Sequence, residues 1–243
     1  YEFVTSREKV DHGLYHGLVR GWGRIDVEGA HEFVSTIKDK RLRGRMTDVI
    51  GESVLERRGT QGALEWLAQL DQKDGFTQAA YNSIVGRSIS RSSSSLAEWM
   101  SRNPENKNIQ PWMFRETAKK IASRDPGLAA SWLESNLGNK SVNGDVVGQV
   151  ASAWVERDPE AAAKWVSSLK GTRVYDKELT KKLGGAWARK DSKAALEWAQ
   201  TLDPKLWNPT SASIIGHLSK EELAQNAQWI KESSTDGRHD GVR

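Results

Sequence analysis

The sequence predicts an all-α solenoid of about seven αα-hairpin repeats, and three observations carry that expectation. Large aromatic residues fall at Phe33, Trp66, Trp99, Trp132, Trp165 and Trp198, a spacing of 33 residues held without a slip. Self-similarity at a fixed period in this range marks stacked helix pairs and related arrays. A second column, 11 residues earlier, reads Trp22, Leu55, Ser88, Ile121, Trp154 and Trp187. The 243 residues also equal seven such periods with 12 left over. Leu, Ile, Val and Phe together number only 49, whereas Trp alone supplies 11, so a few very large side chains carry much of the burial. A Val/Ile-rich parallel sheet is disfavoured by the same counts.

Each repeat reads as helix A, a tight break and helix B. Four residues before the first column, apolar Leu18, Ile84, Val150 and Leu183 continue the stripe that helix A requires. The break is marked by Asp26, Asp125, Asp158 and Asp191, with Gly59 and Ser92 in the other copies, all residue types suited to a helix N-cap. Pro126 and Pro159 then occupy the first helical position, where a missing N–H leaves no bond unmade. Helix B runs through Ala129, Ala162 and Ala195 to the second aromatic column and on to Ile37, Leu70, Leu169 and Leu202. That is one face of a helix, with small residues allowing close approach of a neighbour.

Breakers predict loops after helix B at Asn136 to Asn139, Lys170-Gly171, Asp203-Pro204 and Asn208-Pro209. Helices of about 11 to 13 residues are marginal alone, so the repeats must stack. The seventh unit is placed two residues early, with Leu218 and Trp229 in the two columns, and polar Gln225, Asn226 and Gln228 make it a C-terminal cap. The array is expected to span 1–232 as a single domain, with 233–243 a frayed tail.

These units resemble the tetratricopeptide family of helix-turn-helix repeats. In the sixth unit Leu183-Gly184 followed by Trp187 is similar to the family's Leu-Gly-x-x-aromatic, and Ala194 with Trp198 to its Ala-x-x-x-aromatic. The likeness extends from about Leu14 to Trp229. It departs in three ways: the period is 33, the step from Trp187 to Ala194 is two residues short, and Ala118 and Ala151 replace the glycine. The resemblance implies a right-handed superhelical solenoid and a protein-binding scaffold whose A helices line a concave groove.

Composition narrows the function. No run approaches the 18 or more apolar residues that a membrane span needs, and the mean hydropathy is −0.66. With no cysteine, disulfides, thiolate metal sites and cysteine nucleophiles are excluded, while the compartment stays open between cytoplasmic and exported. The chain opens on Tyr1 rather than Met, which points to processing or to an upstream portion. A net charge of +4 and a pI near 9.2 bias it mildly toward anionic partners.

The most informative polar feature is a column three residues after the first aromatic: Arg58, Arg91, Arg124, Arg157 and Lys190, with Ile25 in the first unit. At the end of helix A a cation offsets the negative pole of the helix. Alternatively the column is a basic ladder presented to an acidic peptide or a phosphate backbone, and these five residues are the expected ligand contacts. A second concentration, Lys38-Asp39-Lys40-Arg41-Leu42-Arg43-Gly44-Arg45, reads as an inter-repeat loop and helix start, or as phosphate contacts without an interleaved aromatic.

Ser92 to Ser95 suits a cap and first turn, while Ser88, among large residues, predicts a locally underpacked third unit. His12 and His16 stand i, i+4 with Glu8, Asp11 and His31 nearby, but Gly13 and Leu14 occupy the places where a metalloprotease helix needs other residues. His217 has no evident partner. Trp112 and Trp207 are off register beside prolines, where loop-borne tryptophans could anchor a ligand. No nucleophile elbow, phosphate loop or dinucleotide fingerprint occurs.

The expectation is therefore a noncatalytic scaffold that binds a protein or peptide, acidic if the ladder is used, with no cofactor and no metal. Nucleic-acid binding through the ladder and residues 38–45, and an enzyme built on a helical toroid, are the alternatives.

Overall fold

The computed structural model describes residues 12–70 and 75–235, and among them it is all-helical. Glu8, Asp11 and the segment 236–243 lie outside the described residues, as do the side chains of Gln228 and Trp229. The chain divides into two compact units, Tyr1–Met113 and Phe114–Arg243.

The first unit holds α1 (His12–Ile25), α2 (Val27–Ser35), α3 (Lys40–Gln69) and α4 (Gly75–Arg102). Helix α1 packs on α2 and α3, and α3 packs on α4. Helices α3 and α4 each contain a helix pair, because the chain leaves helical geometry at Gly59 (φ 66°, ψ −176°) and Ser92 (φ −154°, ψ 71°). Both breaks stand in the column of the capping aspartates. Gly59 fills that place by conformation rather than by capping: its φ and ψ are accessible essentially to glycine alone, and glycine has no side chain with which to cap.

The second unit takes in α5 (Pro111–Ala122) from Phe114 onward, then α6 (Pro126–Glu134), α7 (Gly144–Val155), α8 (Pro159–Ser168), α9 (Lys177–Ala188), α10 (Ser192–Gln200), α11 (Pro204–Ile215) and α12 (Lys220–Thr235). The A helices neighbour one another in series, α7 on α9 and α9 on α11, while α8 and α10 each pack on the A helices before and after them. Close approach of the A helices rests on small residues. A Cβ at Gly184 would lie 2.9 Å from Thr210 Cγ2 and 3.1 Å from Ile214.

The capping column forms as its residue types require. Asp26, Asp125, Asp158 and Asp191 have φ between −152° and −141° and accept from the backbone N–H three residues on, at 2.9–3.0 Å. The A helices carry their own caps at Asp39, Asn143 and Asp176. Asp158→Ala should lower stability by about 1 kcal/mol, because the Ala161 N–H loses its acceptor at an exposed site. Thermal unfolding checks this, with Glu160→Ala in the same first turn expected to have the smaller effect.

Where both columns are aromatic, they meet inside the hairpin. Trp22 stacks with Phe33 at 5.8 Å between ring centroids, and Trp154 and Trp165 at 5.8 Å and Trp187 and Trp198 at 6.0 Å pack with their rings tilted. In the repeats of Ser88 and Ile121, where the first column lacks an aromatic, a residue two turns earlier on helix A supplies one: Tyr81 meets Trp99 at 6.1 Å and Phe114 meets Trp132 at 5.3 Å. The expected underpacking at Ser88 is thus offset by Tyr81. That ring is fully buried, and its hydroxyl donates to Leu67 O and accepts from Asn106.

Three further expectations are corrected. Trp112 and Trp207 lie in helices rather than loops, in the first turns of α5 and α11. Asn208-Pro209 is likewise inside α11, because Pro204 starts that helix and Pro209 follows in its second turn, where it omits one backbone bond. Leu218 lies beyond α11, not in its apolar stripe. The cause is a short connection: α10 and α11 are joined by 201–203 alone, and the break falls at Ser219, only 28 residues after Asp191. Ser219 and Glu222 form a reciprocal capping box, with bonds of 2.8 and 3.1 Å, and Glu222 is held below the usual carboxylate range by the Ser219 N–H.

Candidate functional site

Two of the ladder cations, Arg157 and Lys190, reach backward along the chain. Arg157 donates to Arg124 O at 2.7 Å and Ser123 O at 2.6 Å, and Lys190 to Glu156 O at 2.5 Å and Val155 O at 3.1 Å. Those carbonyls end the preceding A helix and lack intrahelical donors. The cation therefore compensates the neighbouring helix's negative pole and joins successive A helices. In the second repeat this role falls one residue early, since Arg57 donates to Arg24 O at 2.6 Å and Ile25 O at 2.9 Å. Arg58 itself lies 3.6 Å from Glu28. Arg91 and Arg124 are exposed, and their guanidinium groups have no ion pair or hydrogen bond among the described residues.

These contacts are exposed, so Arg157→Gln should change stability by less than about 1 kcal/mol, the carbonyls being rehydrated when the guanidinium is removed. Equilibrium urea unfolding measures this. A loss comparable with that of a core aromatic would contradict the surface character of the contact.

The basic run at residues 38–45 leads into α3, and two of its five cations, Arg43 and Arg45, have side-chain partners among the described residues. Asp39 caps the helix through Arg41 N and Leu42 N, and these bonds hold its carboxyl below the ordinary range. Arg43 reaches Ile37 O at 3.4 Å, and Arg45 lies 3.2 Å from His12 Nδ1. Nearby, Arg20 and Arg24 both close on Glu56 at 2.8 Å, and the Arg24 hydrogen bond holds that carboxyl low. Arg87 pairs with Glu52 at 3.4 Å. Three arginines of the first unit thus share two glutamates.

The second unit differs. A cleft of about 320 Å³ opens across α7, α9 and the end of α11, with Gln149, Lys181, Arg189 and His217 on its walls and Ser152, Gly185 and Ser213 among its lining. Small residues create it. A Cβ added at Gly185 would fall 3.1 Å from His217 Cε1 and 3.3 Å from Ser213 Oγ. Ser152 and Ser213 turn their hydroxyls to backbone carbonyls, Gly148 O at 2.8 Å and Lys181 O at 3.3 Å.

Two cations in the cleft have carboxylates: Lys182 lies 2.6 Å from Asp145 and Lys181 3.6 Å from Glu178. Arg189 has none among the described residues; one of its terminal nitrogens donates to Gly185 O at 3.1 Å. His217 Nδ1 lies 2.7 Å from Ser213 O, and because a carbonyl only accepts, Nδ1 carries the proton and Nε2 is left over.

The expected ligand residues and this cleft do not coincide. The cleft was legible only with the seventh repeat aligned on Ser219. In that alignment Ser152, Gly185 and Ser213 form one column, and Glu156, Arg189 and His217 another. A register set on Trp229 places neither.

Among the described residues no helix is long and apolar enough to cross a membrane. No protein-family profile, curated protein or solved structure matches the chain.

Proposed function

We propose that this chain is a noncatalytic helical-repeat scaffold, a right-handed superhelical solenoid of about seven tetratricopeptide-like αα-hairpins, that binds a protein or peptide partner along the face of its A helices. The observation that carries the reading is the polar cleft across α7, α9 and the end of α11, with Arg189 left without a carboxylate in it. Where successive A helices approach through small residues, a shallow channel with fixed donors on both walls suits an extended chain more than a compact metabolite. The ladder contributes in two ways. Arg157 and Lys190 join neighbouring A helices, while Arg91 and Arg124 stay available to a ligand.

Peptide binding is favoured over nucleic acid because Arg43 and Arg45 of residues 38–45 and Arg20 and Arg24 beside Glu56 face local acceptors, and because no aromatic side chain lines the cleft to stack a base.

Selection of a random peptide display library on the immobilised protein tests the proposal. It should enrich peptides whose binding is lost when A-helix residues, Arg91 and Arg124 or Lys181 and Arg189, are changed to glutamate. Enrichment of nothing, or of peptides insensitive to every such change, overturns it. Tighter retention of single-stranded oligonucleotides than of any selected peptide, falling steeply with salt, would favour the nucleic-acid reading instead.

A further inference from the structure

We infer that the cleft across α7, α9 and the end of α11 is a carboxylate-binding subsite that holds an acidic side chain of the bound peptide, with Arg189 as its anchor. This rests on the scaffold reading above and adds the chemistry of what is recognised. The cleft is lined by Lys181, Lys182, Arg189 and His217 against a single carboxylate, that of Glu178.

Pairing subtracts unequally from that set. The bond from Lys182 to Asp145 is short, that from Lys181 to Glu178 is longer, and Arg189 has no acid at all among the described residues. One guanidinium nitrogen is engaged by Gly185 O, which fixes the group at the cleft while its remaining N–H groups are left for a ligand. A planar fork held in this way matches a carboxylate, whose two oxygens accept in parallel.

Small side chains decide the depth. Gly185 lies under the His217 ring with little room to spare, and Ser152 and Ser213 flank it in the neighbouring A helices. A larger residue at 185 would displace the imidazole and fill the floor. Gln149, on the opposite wall, offers both an amide donor and an acceptor, which suits a peptide backbone.

Charge complementarity selects the occupant. The lining sets Lys181, Lys182 and Arg189 against Glu178 alone, which favours an acidic ligand, and no ring is present to stack a base. The occupant is thus an acidic segment of a protein partner.

Fluorescence anisotropy on the full chain tests the subsite, with a labelled octaglutamate peptide as the probe and octaglutamine and a single-stranded oligothymidylate as comparisons. Octaglutamate should bind and octaglutamine should not. Arg189→Gln should weaken binding by about tenfold or more, the size expected for loss of a charge-assisted pair. Gly185→Leu should do the same by filling the cleft, and far-UV circular dichroism establishes whether that variant is folded. Lys164→Gln removes one charge from an exposed site on α8 and should leave binding within about twofold.

Equal weakening by Arg189→Gln and Lys164→Gln, absence of octaglutamate binding, or preference for the oligothymidylate overturns the subsite. The scaffold reading would survive the first two results if display-selected peptides lacking acidic residues still lost binding on A-helix substitution. It falls when selection enriches nothing, or only peptides insensitive to every A-helix substitution.

Discussion

Replacing Trp198 by alanine should destabilise the protein by about 3–5 kcal/mol, the range for removing a large aromatic from a packed core. Trp198 is 8% exposed and packs tilted against Trp187, which is 7% exposed, across the break between α9 and α10. It sits one turn after Ala195, whose methyl group is fully buried, so the hairpin cannot close over the vacated space with another large side chain. The two indoles are one unit of packing. Trp187→Ala should therefore cost a similar amount, and the double variant should cost less than the sum of the singles, with a coupling of about 0.5–1.5 kcal/mol. Urea unfolding monitored by far-UV circular dichroism gives all four corners of this cycle. A Trp198→Ala loss below about 1 kcal/mol would mean that the aromatic column is not core.

Gly184→Leu should also be strongly destabilising, by about 3 kcal/mol, the upper part of the range for overpacking. Position 184 is fixed by its neighbours across the helix interface, since even a β-carbon would lie 2.9 Å from Thr210 Cγ2 and 3.1 Å from Ile214. The larger side chain would separate α9 from α11, and the Thr210 to Thr180 bond of 2.8 Å bridges the same pair of helices. A second glycine gives the contrast. Gly86 lies within α4 with nothing inside 4 Å of an added β-carbon, so Gly86→Ala should raise stability by about 0.4–1 kcal/mol through the unfolded state and helix propensity. Opposite signs at the two glycines, read from thermal midpoints, separate close helix approach from general intolerance of substitution.

What could be read from the sequence was what repeats. The aspartates at 26, 125, 158 and 191 cap helices because any chain with that residue at that break gains the same local bond, whatever surrounds it. The alternation of buried alanine and tryptophan on helix B is equally local. Contacts between repeats were less legible. A cation at the end of an A helix can serve its own helix pole or the one before it, and only the packing shows that Arg157 and Lys190 serve the neighbour. Compensation was legible in principle: Tyr81 and Phe114 stand two helical turns before Ser88 and Ile121, at equivalent positions of consecutive repeats.

The site was hidden by a register error with a physical cause. Trp229 suggests a shift of two residues, yet the loop before α11 is shorter by more than that, and the distance from N-cap to aromatic rises from 7 residues in the sixth repeat to 10 in the seventh. An aromatic landmark one helical turn out of place misaligns its helix A, and with it Ser213 and His217. Aligned on the capping residue instead, Arg189 and His217 fall in one column, and the small residues that open the cleft fall in another.

The central functional claim is that ligand binds along the A helices, and amide chemical-shift mapping of the isotope-labelled protein during titration with octaglutamate tests it most directly. The largest shifts should cluster at Gln149, Gly185, Arg189 and Ser213, with α8 and α10 little affected. Shifts concentrated on α8 and α10, or spread evenly over exposed lysines and arginines, would contradict it.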